Sequence, residues 1–245
     1  MKKVLITGGN GNLAKELLKT GKGYVVYAPS KEEMDITDIS SIRKVYKSYQ
    51  PNYVIHAAAF TRPMSKHEKY PEKSIKINIV GTSNIVMCCL DKSIKLIYVS
   101  TDYVYPGQKG DYTENDPLSP FSKVNDGVSK YGWSKLGGEC AVRFLNNSLI
   151  LRACICEYPF PHPKALTDVK KSLIYIKDAA PIIWRLIDYS GVINLGGISQ
   201  TVYEFAKKDF KDVIPLNRSE VGDVLIAPDT SMNISKLNNI LNGES

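Results

Sequence analysis

The sequence begins its first helix with a glycine-rich turn, Thr7-Gly8-Gly9-Asn10-Gly11-Asn12-Leu13-Ala14, directly after a short apolar strand, Lys3–Thr7. In this turn Gly8 permits a tight bend, Gly11 lets an anion approach the backbone, and Ala14 allows the helix to pack closely on the strand. The free N–H groups and the positive end of the helix dipole favour a phosphate here. A strand, such a turn and a helix in succession predict a dinucleotide site. The residues predicted to bind the dinucleotide are Gly8, Gly11, Asn12 and Leu13.

Short apolar runs alternate with longer amphipathic runs along most of the chain. The predicted strands are Lys3–Thr7, Tyr24–Ala28, Tyr53–Ala58, Leu96–Ser100, Leu149–Arg152 and Val192–Leu195. The predicted helices are Leu13–Thr20, Ser40–Tyr49, Glu72–Leu90, Ser129–Leu145 and Asp178–Tyr189. Such alternation is typical of βαβ units, and strands without polar alternation are covered on both faces. The predicted fold class is therefore α/β, a Rossmann-like doubly wound parallel sheet with a small C-terminal substrate-binding region.

The chain has 245 residues, enough to bury a core without disulfides or metals. We predict a dinucleotide-binding domain in residues 1–152 and 173–211, and a reduced substrate-binding region in residues 153–172 and 212–245. Two loops, Tyr105–Asp126 and Tyr158–Pro163, follow predicted strands, at the edge where open α/β sheets bind ligands. The tail is predicted to contain a weak strand, Val224–Ala227, and a helix, Ile234–Leu241.

Composition narrows the classes of partner and compartment. The net charge is +7 with neutral histidines, but the lysines are dispersed and carry no nucleic-acid motif, so an anionic small ligand suits the charge better. The first apolar run, Val4–Ile6, is too short for a signal peptide, and no stretch is long enough for a membrane span. Five cysteines without a Cys-x-x-Cys motif indicate reduced thiols and a cytoplasmic location. The scattered histidines predict no metal site.

The residues after the second predicted strand indicate which dinucleotide binds. NAD sites usually carry an acidic residue there for the ribose hydroxyls. Here the stretch is Tyr27-Ala28-Pro29-Ser30-Lys31, in which Ser30 and Lys31 offer a hydroxyl and a cation to a 2′-phosphate. These two residues favour NADP(H), whereas the acidic residues within Glu32–Asp35 leave NAD(H) open.

A tyrosine and a lysine on the fourth long helix are candidates for acid–base catalysis. Tyr131 and Lys135 are four residues apart and therefore share one face of the predicted helix. A free tyrosine has a pKa of about 10, which a nearby ammonium lowers. The pair is thus suited to protonate a carbonyl oxygen as hydride reaches its carbon. Ser100 and Thr101, at the end of the fourth strand, offer hydroxyls that align such a carbonyl.

Six segments of the first 140 residues carry further motifs in a fixed order. They are Ile6–Leu13 (ITGGNGNL), Met34–Asp38 (MDITD), Val54–Thr61 (VIHAAAFT), Asn78–Thr82 (NIVGT), Val99–Tyr105 (VSTDYVY) and Tyr131–Glu139 (YGWSKLGGE). With these segments the chain resembles the extended short-chain dehydrogenase/reductases, and in particular their dTDP-4-dehydrorhamnose reductase branch.

The resemblance implies an NAD(P)H-dependent reductase of a nucleotide-linked 4-keto-6-deoxy sugar. It implies Thr101, Tyr131 and Lys135 as the catalytic residues. Tyr131 would protonate O4 of the sugar, Lys135 would also hold the nicotinamide ribose, and Thr101 would bind the carbonyl. The further residues implied at the cofactor are Asp35, Ile36, Ala57 and Ala58, together with Tyr131 itself. The residues implied at the sugar are Thr61, Asp102 and Tyr103.

Comparison with sister reactions of the superfamily favours simple reduction. Dehydratases of this kind carry Asp-Glu where this chain has Asp102-Tyr103, and bifunctional epimerase-reductases carry a cysteine near Thr101 that is missing here. Two departures affect the substrate side. Ala165–Lys177 lacks the family's Asp-Gln…Gly-x-Pro-Thr stretch, and Ala227–Ser231 lacks the arginine of its Arg-Pro-x-x-Ser motif. The chemistry is therefore better defined than the substrate.

Two alternative functions and one assembly state also follow from the resemblance. The chain could be a sugar-nucleotide epimerase of the same superfamily. It could instead be a non-catalytic NADP-binding regulator, because the regulatory subunit of methionine adenosyltransferase resembles this family, although an intact Thr101/Tyr131/Lys135 set argues against that. The long helices Glu72–Leu90 and Ser129–Leu145 resemble those that pair in dimers of the superfamily, so we expect a homodimer.

Overall fold

The computed structural model describes residues 1–123, 127–222 and 225–243, and its largest element is a six-stranded sheet. The strands are β1 (Lys3–Thr7), β2 (Val25–Tyr27), β3 (Tyr53–His56), β4 (Lys95–Val99), β5 (Ser148–Ala153) and β6 (Gly191–Leu195). Their order is β6-β5-β4-β3-β1-β2, and the pairs β1–β2, β1–β3, β3–β4 and β4–β5 are parallel. The predicted α/β fold with a central parallel sheet is confirmed.

The strand order reverses at β1. After β1 the chain adds β2 on one side, and β3 then lies on the other side. Open α/β sheets bind ligands at such a switch point, outside the carboxyl ends of the flanking strands. The glycine-rich turn after β1 and Ala57–Ala59 after β3 occupy this position.

Nine α-helices connect and follow these strands in the described chain. They are α1 (Asn12–Thr20), α2 (Ile39–Tyr49), α3 (Ser65–Lys69), α4 (Pro71–Ser74), α5 (Thr82–Leu90), α6 (Lys130–Val142), α7 (Ile176–Arg185), α8 (Val202–Lys207) and α9 (Ser235–Asn242). Local chemistry fixes several of their ends. The Asp38 side chain accepts a hydrogen bond from Ser40 N at the start of α2, and Thr201 and Glu204 form a capping box on α8.

The predicted helix Glu72–Leu90 is helical throughout, but its middle part is wider than an α-helix. A π-helical segment, Ile75–Gly81, lies between α4 and α5. Within it the Asn78 side chain accepts a hydrogen bond from Phe60 N and donates one to Phe60 O. A widened turn is common where a side chain has such a local task. This turn joins the helix to the segment that follows β3.

The first compact unit comprises residues 1–100, 134–151 and 180–192. Its core is formed by apolar side chains from the strands and from α2 and α5. Representative buried members are Leu5, Ile42, Val54, Ile85, Leu96 and Ile150. Gly137 of α6 lies close to the π-helical segment, since a Cβ built there would be 2.9 Å from Ile79 Cδ1. Helix α6 is therefore held against the segment that carries Asn78.

The second unit comprises residues 101–133, 152–179 and 193–245, and its described part contains short paired strands, of which only Ser122–Lys123 lies within a predicted loop. The short pairs are Ser122–Lys123 with Gly127–Val128, Ile155–Cys156 with Ile174–Tyr175, Lys164–Leu166 with Ile214–Leu216, and Lys170–Lys171 with Gln200–Thr201. A small core supports them, with Phe160, Ala165, Tyr175, Phe205 and Val213 buried. The division into cofactor-binding and substrate-binding regions concerns function and stays a prediction.

The tail differs from its prediction in one element. The predicted strand Val224–Ala227 begins outside the described residues, and 225–227 form no strand. Ile214–Leu216 supplies a strand instead, because it pairs in parallel with Lys164–Leu166. The predicted terminal helix is present as α9. Likewise, residues 124–126 of the predicted loop Tyr105–Asp126 lie outside the described part of the chain.

Candidate active site

The glycine-rich turn forms a cradle next to the loop that follows β3. Gly8 has a left-handed φ of +74°, and a Cβ built on it would lie 2.9 Å from Ala58 Cα. Gly11 N donates to Gly8 O at 2.8 Å and closes the turn. Among the described residues, no side chain caps α1 at Gly11, and no acidic residue lies in its first turn. The N–H groups at this end are thus available to an anion such as a pyrophosphate, which fits a dinucleotide.

A buried hydrogen-bond chain fixes the segment beside this cradle. Thr7 Oγ1 lies 2.7 Å from His56 Nδ1, and His56 Nε2 lies 3.0 Å from Thr82 Oγ1. Thr7 Oγ1 also accepts a hydrogen bond from Ala58 N at 3.0 Å. These contacts suit a neutral imidazole that accepts from Thr7 and donates to Thr82. Burial, assisted by the charge of Lys135, lowers the pKa of His56 to about 3.

His56 is expected to make the protein sensitive to mild acid. Its folded pKa of about 3 lies below the ordinary value of 6.5, so the unfolded chain takes up the proton first. Stability is therefore full above about pH 6.5 and is lost as the pH falls, by about 2 kcal/mol at about pH 5 from this group alone. The loss is measured as the difference in the free energy of unfolding by urea between about pH 6.5 and about pH 5. His56→Gln should not show this loss, whereas His162→Gln, at an exposed histidine, should show it as the parent does. An equal loss in His56→Gln and the parent protein would contradict this assignment.

The turn after β2 carries a cation and carboxylates side by side. Ser30 N donates to Glu33 Oε2 at 2.7 Å, and Lys31 Nζ lies 3.8 Å from Asp35 Oδ2. Gly9 N donates to Pro29 O at 3.0 Å, which fastens this turn to the glycine-rich turn. The Lys31 side chain is 72% exposed and is accessible to a ligand. Asp35 also accepts hydrogen bonds from the backbone and the hydroxyl of Thr37.

Three other predicted residues of the first unit lie near its switch point or in the loop after β3. Ile36 is buried, and its carbonyl accepts a hydrogen bond from Asn84 Nδ2 at 3.0 Å. Ala57 is half-buried directly after β3. Thr61 is exposed, and its carbonyl lies 2.9 Å from His67 Nε2.

Lys135 is a buried lysine on α6. Its Nζ donates to Val99 O at 2.8 Å and lies 4.2 Å from the centre of the Tyr98 ring. Burial lowers the pKa of Lys135 to about 7, and Glu139 opposes this shift. Glu139 is itself buried and accepts a hydrogen bond from Ser100 Oγ at 2.5 Å. The Lys135 amine therefore lies at the end of β4, and its pKa is close to neutral pH.

Thr101, Tyr103 and Tyr131 are brought together in the second unit. Thr101 Oγ1 accepts a hydrogen bond from Tyr103 N at 3.3 Å and donates to Asp102 Oδ1 at 3.1 Å. The rings of Tyr103 and Tyr131 meet edge to face, with centroids 5.7 Å apart. Gly132 permits this approach, because a Cβ built there would lie 2.5 Å from Tyr103 O. The hydroxyl and the phenol assigned to catalysis thus share one cluster.

Sequence reasoning missed one charged member of this cluster. Lys171 Nζ donates to Asp102 Oδ2 at 2.5 Å and to Thr230 Oγ1 at 2.9 Å. Lys171 belongs to a segment with no recognisable motif, and only a contact across 69 positions of sequence reveals its partner. The nearest signal was the departure of Ala165–Lys177 from the family pattern.

Neither a metal-binding cluster nor a membrane-spanning helix occurs in the described part of the chain. No group of three or more histidine, cysteine, aspartate or glutamate side chains there is arranged to hold a metal ion. No helix there combines the length and the apolar character that crossing a membrane requires.

The sequence is similar to those of several known proteins. A dTDP-4-dehydrorhamnose reductase from Aggregatibacter actinomycetemcomitans is 34% identical over 158 residues, 62% of this chain and 51% of that protein. Methionine adenosyltransferase 2 subunit beta from Rattus norvegicus is 31% identical over 157 residues, 60% of this chain and 44% of that protein. The matched stretch thus spans about half the length of these curated relatives.

A crystal structure and a family model extend the comparison. The structure of dTDP-4-dehydrorhamnose reductase from Bacillus anthracis str. Ames in complex with NADP superimposes with a TM-score of 0.86 at 28% identity. The alignment covers 99% of this chain and 94% of that one. The resemblance predicted from the six motif segments is confirmed. The family model described as RmlD substrate binding domain matches residues 1–156, well over half of the chain, and the protein belongs to that family.

Proposed function

We propose that this protein is an NADP(H)-dependent oxidoreductase that reduces the keto group of a nucleotide-linked 4-keto-6-deoxy sugar. One observation carries the proposal: α6 bears Tyr131 and, four residues later, the buried side chain of Lys135. Helical spacing places the two side chains on one face. The resemblance to a dTDP-4-dehydrorhamnose reductase over 99% of the chain supports the substrate class.

The chain's own residues account for the proton and for the orientation of the carbonyl. A bound nicotinamide dinucleotide supplies the hydride. Tyr131 donates its phenolic proton to the oxygen that becomes the alcohol, and Lys135 stabilises the phenolate that remains. The Thr101 hydroxyl binds the same oxygen, and Tyr103 lines the sugar site. Thr61 belongs to the predicted substrate side, whereas Asp102 is buried and reaches that side through its hydrogen bond with the Thr101 hydroxyl.

Most of the residues that would hold the cofactor belong to the first unit. The uncapped start of α1, with Gly8, Gly11, Asn12 and Leu13, receives the pyrophosphate. Asp35 and Ile36 would hold the adenine side of the dinucleotide, and Ala57 and Ala58 would leave room for it after β3. Ser30 and Lys31 bind the 2′-phosphate of NADP(H), while NAD(H) remains the alternative cofactor because Glu33 and Asp35 lie beside them.

Lys31→Ala is expected to reduce the preference for NADPH over NADH about tenfold, since one exposed charge-assisted contact contributes about 1.4 kcal/mol. Dissociation constants for both cofactors, measured by fluorescence titration, give the preference. Lys44→Ala, an exposed lysine of α2, serves as the control. A parent protein that prefers NADH, or a ratio unchanged in Lys31→Ala, would rule out this phosphate site.

The function itself is tested with a panel of 4-keto-6-deoxy nucleotide sugars that vary in nucleoside. Oxidation of NADPH is followed at the absorbance of its nicotinamide, and the product is identified by mass spectrometry as the substrate plus two hydrogens. Turnover of at least one member is expected. Cofactor binding without turnover of any member would favour the non-catalytic regulator, and an isomerised product without net NADPH oxidation would favour the epimerase.

Assembly and compartment form the last part of the proposal. Four apolar side chains of the segment 75–90 are between 43% and 54% exposed, namely Ile75, Val80, Met87 and Leu90. These exposed apolar side chains support a homodimer in which the segment 75–90 is covered. Light scattering after gel filtration tests this assembly state. All five cysteines are free thiols, four of them buried, which supports a reducing compartment such as the cytoplasm.

A further inference from the structure

A buried charge pair lies directly behind the catalytic threonine of the second unit. Asp102 is 2% exposed, and each of its oxygens has a partner. Oδ2 accepts hydrogen bonds from Lys171 Nζ and Thr230 Oγ1, both at 2.5 Å, and Oδ1 accepts the Thr101 hydroxyl at 3.1 Å. Asp102 therefore reaches the substrate side through Thr101.

Lys171, the lysine of this pair, is buried, although its neighbour Lys170 is exposed. Lys170 and Lys171 form a two-residue strand, in which successive side chains point to opposite faces. Lys170 is exposed, whereas Lys171 is buried. Burial alone lowers the pKa of Lys171, but Asp102 outweighs it and raises the pKa, so the side chain is an ammonium. A buried charge of this kind persists only where its partners are well placed.

The same ammonium also supports the aromatic part of the cluster. Lys171 Nζ lies 4.0 Å from the centre of the Tyr103 ring, within the range of a cation–π contact. Tyr103 in turn packs edge to face on Tyr131. Lys171 thus contacts the residue that holds Thr101 and the residue that packs on Tyr131.

We propose that Lys171 is a positioning residue for the reduction, acting through Asp102 on Thr101 and through Tyr103 on Tyr131. This inference rests on the proposed function for the roles of Thr101 and Tyr131. Lys171 lies within Ala165–Lys177, the segment that departs from the family pattern, so the inference gives this segment a role in the reduction.

The charge balance explains how the pair serves Thr101. A threonine hydroxyl carries one hydrogen, which here points to Asp102 Oδ1 over 3.1 Å, a long distance for a bond between two oxygens. To bind a substrate carbonyl, the hydroxyl must turn this hydrogen away from Asp102. Lys171 and Thr230 already satisfy the other carboxylate oxygen, so Asp102 releases the hydroxyl at low cost. Without Lys171, an uncompensated carboxylate would retain it.

Lys171→Met, which keeps the length of the side chain and removes its charge, tests the inference. Lys170→Met is the matched control on the same strand. We expect kcat of Lys171→Met to fall roughly 10- to 100-fold, the effect of misplacing a reacting group, with KM and the NADPH dissociation constant changed less than about twofold. Lys170→Met should keep the parent values. A folded Lys171→Met protein with the parent kcat would overturn the inference.

A second variant covers the case in which Lys171→Met does not fold. Lys171→Met combined with Asp102→Asn leaves a neutral pair, and we expect it to fold. The carboxylate that would retain the Thr101 hydroxyl is then gone, but the ammonium over the Tyr103 ring is still missing, so kcat should stay below the parent value. Recovery of the parent kcat in this double variant would reduce Lys171 to a structural role and overturn the inference.

A readout without turnover separates this inference from the proposed function. In protein labelled with ¹³C at the tyrosine rings, the signals of Tyr103 and Tyr131 are assigned by Tyr103→Phe and Tyr131→Phe. Lys171→Met, or the double variant where the single one does not fold, should shift both signals, and Lys170→Met should shift neither. If the parent protein reduces no keto sugar, the proposed function fails alone. Shifted signals then still support the positioning role, and unmoved signals overturn it.

Discussion

Tyr131→Phe is expected to lower kcat roughly 10²- to 10⁴-fold, the usual contribution of a general acid. The substitution removes one hydroxyl and keeps the ring, so the edge-to-face contact with Tyr103 persists. The residues predicted to bind the pyrophosphate, Gly8–Leu13, are unaltered, and NADPH binding should therefore change little. Steady-state rates of NADPH oxidation give kcat, and fluorescence titration gives the NADPH dissociation constant.

The control for this experiment is Tyr189→Phe, which removes the hydroxyl of a tyrosine that is 42% exposed. It should leave both quantities unchanged. A Tyr131→Phe protein that reduces the sugar at the parent rate would remove Tyr131 as the proton donor. A simultaneous loss of NADPH binding and of folded protein would point to a structural role instead.

Gly8→Ala is expected to destabilise the protein by about 3 kcal/mol and to weaken NADPH binding. A non-glycine residue at φ +74° costs about 1–3 kcal/mol, and here the new methyl group would also lie 2.9 Å from Ala58 Cα and 3.1 Å from Ala58 N. Relief of that contact moves the loop after β3, which lies beside the uncapped end of α1. Urea unfolding measures the stability, and titration measures the dissociation constant.

Gly23→Ala separates strain from contact in this experiment. Gly23 also has a left-handed φ, of +90°, but nothing lies within 4 Å of a Cβ built on it. It should therefore lose only the conformational part, about 1–2 kcal/mol, and bind NADPH as the parent does. Equal losses of stability in Gly8→Ala and Gly23→Ala would show that a methyl group at Gly8 fits beside Ala58. The close contact between these two residues would then not be required for the turn.

The sequence predicts the parts of the fold that follow from local patterns. The six strands, the turn after β1 and the helix that carries Tyr131 and Lys135 each have a periodicity or spacing that a single segment reveals. The motif Thr101–Tyr103 is placed correctly at the end of β4 for the same reason. Its approach to Tyr131 depends on Gly132, whose missing side chain leaves space for Tyr103 O.

The features that escape prediction depend on contacts between distant segments. The π-helical segment follows from Asn78 bonding the backbone of Phe60, 18 positions away. The burial of Lys171 follows from Asp102 and Thr230, and an isolated lysine is ordinarily predicted as exposed. The two-residue strands of the second unit are too short for any periodicity, and only their partners define them.

The hydrogen-bond chain through Thr7, His56 and Thr82 limits which substitutions these three positions tolerate during evolution. Each side chain is buried and satisfies the next, so a change at one position leaves a polar atom unpaired at a cost of about 1–3 kcal/mol. An apolar triplet would remove that penalty among the three but would leave Ala58 N without its acceptor. We therefore expect the three positions to covary among relatives, with Thr7 the slowest of them to change.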